Sequence, residues 1–211
     1  NLQNIPVRDE SGRRIRSAFT AVPKTVLISA DYSQIELVVL AHLSGDKNLC
    51  SAFINGIDVH KSTAALIYGI SPEQVKPEQR RFAKTVNFGV MYGMSAFRLS
   101  NELNISRIEA KNFIDQYFST YSDVKKFLDE TKRMARENGY VETITGRRRY
   151  IPEIKSSSKI VLQGAERIAI NTPIQGSAAD IVKTAMIKVQ AALEKSDTGA
   201  KMLLQVHDEL I

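Results

Sequence analysis

The chain has 211 residues, of which 43% are apolar and 25% charged, enough to bury a sizeable core and too apolar for a disordered segment. Its formal net charge of +6 and isoelectric point of about 9.4 favour a polyanionic partner. A single cysteine, Cys50, excludes an internal disulfide, the lack of a Cys/His cluster argues against structural zinc, and no apolar run reaches a membrane span. With no signal peptide in view, a reducing, cytoplasmic setting is the default expectation.

In chain order, the pattern predicts a strand near Ile15–Phe19 and a second over Val26–Asp31. The apolar run Val26-Leu27-Ile28-Ser29-Ala30 delivers Asp31 at its end, just before a helix expected from about Ser33 to Leu43. Asp58-Val59-His60 opens a helix toward Tyr68, Ser71-Pro72-Glu73 starts a short one, and a longer one follows Lys76-Pro77. Further amphipathic helices are expected over Ser106–Tyr117 and Asp123–Asn138, the latter ended by Gly139. Tyr140–Ile144 and Arg149–Ile151 form a hairpin pattern that turns at Thr145-Gly146. A helix from about Leu162 to Ile170 and another over Ala178–Glu194 are expected on either side of Pro173. Met202–Val206 and Leu210-Ile211 then flank the polar tip His207-Asp208-Glu209 as in a β-hairpin, which puts a second acidic site on a second strand. Carboxylates on neighbouring strands repel one another when ionised, and hard divalent cations are the usual way to hold them together.

The most informative stretch is Glu78–Gly93, where Arg80, Lys84, Phe88 and Tyr92 recur every four residues. On a helix they share one slowly winding face about 18 Å long. Two cations followed by two aromatics suit a nucleoside triphosphate, the cations for its phosphates and the rings for its base and sugar. The same spacing fits an amphipathic helix with basic residues in solvent and aromatics in the core. Gly89 and Gly93 each cost a helix about 1 kcal/mol relative to Ala, a cost that core packing of the aromatics leaves unexplained and that close approach of backbone to a template or base would explain.

Asp31-Tyr32-Ser33-Gln34-Ile35-Glu36-Leu37, the Arg80–Gly93 stripe and Gln205-Val206-His207-Asp208-Glu209 resemble, in the same order, the three polymerase motifs of family A DNA polymerases. The likeness continues through Asn1-Leu2-Gln3-Asn4-Ile5-Pro6-Val7-Arg8, Asp58-Val59-His60 and Asn171-Thr172-Pro173-Ile174-Gln175-Gly176, so it covers nearly the whole chain. It implies an α+β fold: an antiparallel-sheet palm built from both chain ends, residues 1–43 and 161–211, with helical fingers inserted over 44–160 and the thumb absent. The chain starts without Met and stops inside an apolar run, which reads as a piece of a longer polypeptide; alone it is expected to extend a primer poorly.

The resemblance further implies template-directed DNA synthesis on a primed DNA template from deoxynucleoside triphosphates (dNTPs), by a parent protein that is monomeric. Asp31, Asp208 and Lys84 would be catalytic, and Asp31, Asp208 and the backbone carbonyl of Tyr32 would hold two Mg²⁺ ions about 3.5 to 4 Å apart, with Glu209 in support. Arg8, His60, Arg80 and Lys84 would contact the triphosphate, and Gln34 belongs to the same nucleotide site. Phe88 would pack on the nucleotide, while Tyr92 and Glu36 close the space at the ribose C2′. Gln3, Tyr92, Gly93, Arg167, Asn171, Gln175 and His207 would contact DNA, Gln175 by probing minor-groove acceptors common to all correct pairs. Read without the family, His60 is a cap or packing residue, Arg8 is solvated, and Arg147-Arg148-Arg149 is a basic turn open to solvent or to template phosphates. One departure stands in the first motif: Val38 follows Glu36-Leu37 where relatives usually carry Arg. Two other classes remain in view, a DNA-binding module that has lost catalysis, opposed by intact Asp31, Arg80, Lys84 and Asp208, and a single-subunit phage-type RNA polymerase, opposed by Glu36.

Overall fold

A computed structural model describes residues 9–211; Gln3 and Arg8 lie outside the described residues. The described residues form a mixed structure, with long helices and two small antiparallel sheets, in agreement with an α+β class. It divides into two compact units, one formed by the described residues up to Ile35 together with Ala178–Ile211, the other by Glu36–Ser177.

The first unit opens with helix α1 (Glu10–Ser17), where a strand near Ile15–Phe19 is the sequence expectation. Local capping outweighs the β-branched Ile15: the Asp9 carboxylate accepts from the Gly12 N–H at 2.6 Å, Glu10 occupies the first turn, and Arg14 and Arg16 occupy the last. The expected strand over Val26–Asp31 contracts to β1 (Ala30–Asp31), and Val26 and Ile28 stay exposed. Near the other end, β4 (Gln205–Val206) and β5 (Glu209–Leu210) form the expected hairpin. The strand order is β1-β5-β4, all antiparallel, with Asp31 opposite Glu209 and Ala30 opposite Leu210. Beyond the ladder, the Ile211 N–H donates to Leu204 O at 2.9 Å.

The second unit is helical. Helices α2 (Ile35–Ser44) and α3 (Lys47–Ile54) are joined by Asp46, a buried carboxylate. Its Oδ1 caps α3 by accepting from the N–H groups of Asn48 and Leu49. Helix α4 (Val59–Tyr68) begins at the cap Asp58 and ends at left-handed Gly69, and a 3₁₀ turn covers Pro72–Gln74. Helix α5 (Pro77–Met91) starts with proline in its first turn, where the missing N–H costs nothing. It ends one residue short of the full stripe, so Tyr92 is its C-cap and Gly93, at φ 69°, lies beyond it. The sequence reading of Gly93 as a helix-interior glycine is thereby corrected.

Helices α6 (Ala96–Leu103), α7 (Arg107–Thr120) and α8 (Ser122–Asn138) follow, and Asp46 Oδ2 accepts from the Asp123 N–H at the start of α8. Gly139, at φ 78°, stops α8 and leads into the hairpin of β2 (Tyr140–Glu142) and β3 (Arg148–Tyr150), whose turn at Gly146 matches expectation. Helix α9 (Lys159–Glu194) is a single element that carries Pro173 inside it, where two helices are expected. Proline removes one helical hydrogen bond, yet Ala165, Ala169, Ile170, Ile174, Ala178 and Val182 keep one buried stripe running past it. Leu37, Leu40, Leu49, Met91, Leu99 and Tyr117, all at 2% exposure or less, make up much of the interior of the second unit.

Candidate active site

In the first unit the sheet places three carboxylates, Asp31, Asp208 and Glu209, on adjoining segments. Asp31 ends β1 beside the β4–β5 turn, and the Tyr32 N–H donates to the backbone carbonyl of Asp208 at 3.2 Å, tying the two acidic segments to each other. Asp208 sits in the turn and not on the strand that the sequence pattern suggests; Glu209 is the strand residue facing Asp31. His207 adopts φ 56° in that turn, and its carbonyl accepts from Gln205 Nε2 at 2.9 Å. Glu209 accepts from the Ser29 hydroxyl, so one of its oxygens is already engaged.

Partial desolvation, then the negative charges of Asp208 and Glu209, push the Asp31 carboxyl above its ordinary range. The spot is oxygen-rich and negatively charged. Carboxylates plus the nearby Tyr32 carbonyl are hard donors that fit Mg²⁺, which takes one or two carboxylates and keeps waters or phosphates in its other positions. Among the described residues no three His, Cys, Asp or Glu side chains are grouped closely enough to form a metal site by themselves. Gln34, just past β1, takes φ 55° and has a buried Oε1 with no hydrogen-bond partner.

The second unit gathers the stripe residues and the start of α4. Arg80 Nε donates to Asp58 Oδ2 at 2.6 Å while Asp58 Oδ1 caps α4 at the Lys61 N–H. Burial pushes the Asp58 carboxyl up, but the hydrogen bonds from Arg80 and Lys61 outweigh it and hold it below its usual value. That bond uses one of the five donors of the Arg80 guanidinium. Lys84 is exposed, its Nζ 5.8 Å from the centre of the Phe88 ring. Phe88 in turn lies 5.8 Å from the His60 ring and 6.2 Å from the Tyr92 ring. The Tyr92 hydroxyl donates to the Glu36 carboxylate.

His60 is only 2% exposed, which favours the packing reading of this residue in the state described. Burial first, then the positive charges of Arg80 and Lys84 against that of Asp58, push its pKa down to about 4, so the ring is neutral at physiological pH. Its Nδ1 lies 2.8 Å from Asn87 Nδ2, and Asn87 Oδ1 accepts from the Thr63 hydroxyl at 3.0 Å. Sequence reasoning missed Asn87 and Thr63, and had Asp58 as a helix opener without its bond to Arg80. An asparagine in the middle of α5, at a poor position for helix formation, was the available signal.

The glycines of the stripe make room for this chain's own side chains. A Cβ at Gly89 would stand 3.0 Å from Met94 Sδ, and one at Gly93 would stand 2.7 Å from Ile170 Cδ1 and 3.4 Å from Arg167 Cγ. On α9, Arg167, Asn171 and Gln175 recur every four residues; Arg167 and Gln175 are exposed and Asn171 Oδ1 is buried without a partner. The basic turn is engaged within the protein. Arg147 donates to Gly176 O at 3.1 Å, Arg148 pairs with Glu142 at 2.6 Å and stacks 4.5 Å from the Tyr140 ring centre, and Arg149 reaches the Thr172 hydroxyl. Val38 is 42% exposed on α2, so its lost basic counterpart would have faced outward.

A family model described as DNA polymerase family A matches residues 1–211. The chain is 56% identical, over its whole length, to DNA polymerase I of Treponema pallidum, of which it covers 21%, and 54% identical to the thermostable DNA polymerase I of Thermus aquaticus, of which it covers 25%. It thus spans about a fifth to a quarter of the length of these curated relatives. Among solved structures it is similar to the POL domain of Pol1 from M. smegmatis in complex with DNA primer-template and dNTP, with a TM-score of 0.93 and 48% identity over all of this chain and 37% of that one. Matched from end to end by the family model and by relatives above 50% identity, the chain belongs to DNA polymerase family A.

Proposed function

We propose that this chain is the palm and fingers portion of a DNA-directed DNA polymerase, a nucleotidyltransferase that adds deoxynucleotides to a primer 3′ hydroxyl under the direction of a template. The β1–β5 register carries the reading: it sets Asp31 beside Asp208 and Glu209, and desolvation first, then their charges, raise its pKa. Residues 1–43 and 161–211 are assigned to the palm and 44–160 to the fingers, although the compact units divide at Ile35 and Ser177. Primed DNA and dNTP as partners are supported by the likeness to a polymerase domain that holds both.

Asp31 and Asp208, with the Tyr32 carbonyl, would hold two Mg²⁺ ions, and Glu209, fixed by Ser29, would steady Asp208. When bound, such ions activate the primer hydroxyl and neutralise the leaving pyrophosphate. The chain's own groups supply the rest. Arg80 and Lys84 neutralise the triphosphate, with Arg8 beside them, and Lys84 gives a proton to pyrophosphate as the α–β phosphate bond breaks. Asp58 holds Arg80 by one edge and leaves its fork for phosphate oxygens. Contact between a phosphate and buried His60 requires a shift of the side chains that cover it. Phe88 would pack on the sugar and base, Glu36 and Tyr92 would close on C2′, and Gln34 would border the same site. Gln3, Gly93, Arg167, Asn171, Gln175 and His207 are assigned to primer and template.

Primer extension by the full-length polymerase with four dNTPs, then four ribonucleotides, tests this. Extension that depends on Mg²⁺, prefers deoxynucleotides and disappears in Asp31→Ala and Asp208→Ala while DNA binding survives is expected. Full activity of either variant would overturn the catalytic assignment.

A further inference from the structure

Asn87 lies in the interior of α5 with no exposure at all, and a buried amide there is costly unless both its ends are satisfied. Both are, by two residues of α4. The Thr63 hydroxyl donates to Asn87 Oδ1 at 3.0 Å, and Asn87 Nδ2 stands 2.8 Å from His60 Nδ1; Thr63 is likewise fully buried. The Thr63 hydroxyl has one proton and gives it to Asn87 Oδ1, so the amide faces His60 with its nitrogen. An amide nitrogen has only protons to offer. The ring nitrogen facing it must therefore be the unprotonated one, and the single proton of the neutral imidazole sits on Nε2.

We propose that Asn87 is a positioning residue that locks His60 in its neutral Nε2–H tautomer, so that an incoming triphosphate meets a directional N–H donor there and not an imidazolium. The inference rests on the reading that His60 contacts the triphosphate. The groups whose charges act on the ring are Arg80 and Lys84, which oppose protonation, and Asp58, which is spent on Arg80 and the α4 cap. Positive charge toward the phosphates then comes from Arg80 and Lys84, with Arg8, while His60 adds geometry.

The test uses the full-length polymerase labelled with ¹⁵N-histidine, with the His60 signals assigned by their loss in His60→Gln. The wild type should show an unprotonated Nδ1 and a protonated Nε2 that stay unchanged from pH 6 to 8. Asn87→Asp, which puts an acceptor where the donor was, should move the proton to Nδ1 and raise the ring pKa. A wild-type Nδ1 that carries the proton, or ring nitrogens indifferent to Asn87→Asp, would overturn the lock. Kinetics supply the second arm. Asn87→Leu and His60→Gln should each raise the dNTP KM, about tenfold, with kcat moved less, and the double variant should be no worse than His60→Gln alone. Multiplying effects would make Asn87 merely structural and overturn its action through His60. A normal KM in His60→Gln, beside the expected ¹⁵N pattern, would overturn the phosphate contact and leave the tautomer assignment standing, so the two failures are distinguishable.

Discussion

The Tyr92 hydroxyl donates to the carboxylate of Glu36, so the residue that caps α5 is pinned to the first turn of α2 across 56 positions of sequence. Neither residue is fully buried, and the bond holds the carboxylate in one place beside the aromatic stripe. Glu36→Ala in the full-length polymerase should therefore lower discrimination against ribonucleotides by about tenfold or more, the scale on which a shaped pocket rejects an added hydroxyl. Tyr92→Phe keeps the ring but frees the carboxylate and should lose less. The ratio of deoxynucleotide to ribonucleotide kcat/KM reads both, and an unchanged ratio in Glu36→Ala removes Glu36 from the gate.

Phe88 lies between the rings of His60 and Tyr92, half exposed at the open side of α5. A hydroxyl added at its para position would stand in for the contact that a missing 3′ hydroxyl makes. Phe88→Tyr should raise the use of dideoxynucleotides at least tenfold, a gain of about 1.4 kcal/mol in transition-state binding. Identical termination ladders for the two proteins would argue against Phe88 at the sugar.

Asp31 has a carboxyl whose folded-state pKa lies above its unfolded value, so the folded protein prefers it protonated. The associated stability is present below the ordinary carboxylate pKa of 3.8 and is lost as pH rises through the raised value, which leaves a cost at neutral pH from desolvation first and repulsion by Asp208 and Glu209 second. Asp31→Asn should raise the melting temperature of the metal-free polymerase at pH 7 while it lowers extension at least a thousandfold, about 4 kcal/mol of barrier. Added Mg²⁺ should stabilise the wild type more than the variant. A variant that melts lower than the wild type without metal would contradict the repulsion.

His60 reverses that sign. Its folded pKa of about 4 lies below the ordinary 6.5, so stability present above pH 6.5 is lost as the unfolded state takes up a proton between 6.5 and 4. The slope from this one group is at most about 1.4 kcal/mol per pH unit. Melting temperatures measured from pH 7.5 to 4.5 should fall less steeply in His60→Gln than in the wild type; parallel curves would mean that His60 is not held neutral.

Gly93 combines φ 69° with a missing Cβ that would stand 2.7 Å from the end of Ile170, itself 1% exposed. Gly146, at φ 79°, has nothing within 4 Å of the same position. Alanine at Gly146 should cost about 1 kcal/mol of stability from backbone strain alone, and alanine at Gly93 about 2 to 4 kcal/mol from strain plus overpacking. Equal losses of chemical stability in the two variants would show that Ile170 moves aside freely.

What the chain carries in its local pattern came through wherever a cap or turn residue decides the matter without help from afar. Asp58 starts α4, Pro77 starts α5, Gly139 stops α8 and Gly146 turns the hairpin, because each sets the hydrogen bonding or the backbone angle of its own neighbours. The acidic motifs and the cationic and aromatic stripe were also legible, since spacing along a helix or a strand is a one-dimensional property. Tertiary structure alone decided the rest. The buried stripe from Ala165 to Val182 carries α9 past Pro173, whose local preference is to break it. Whether Val26–Asp31 pairs along its length depends on partner strands, and only Ala30 and Asp31 find them within the sheet. The bonds of Tyr92 to Glu36, of Arg80 to Asp58 and of Asn87 to His60 join residues 22 to 56 positions apart. Hydrogen bonds of that span exist only once helices have packed, because packing removes the water that would otherwise satisfy the same groups and makes each buried partner obligatory.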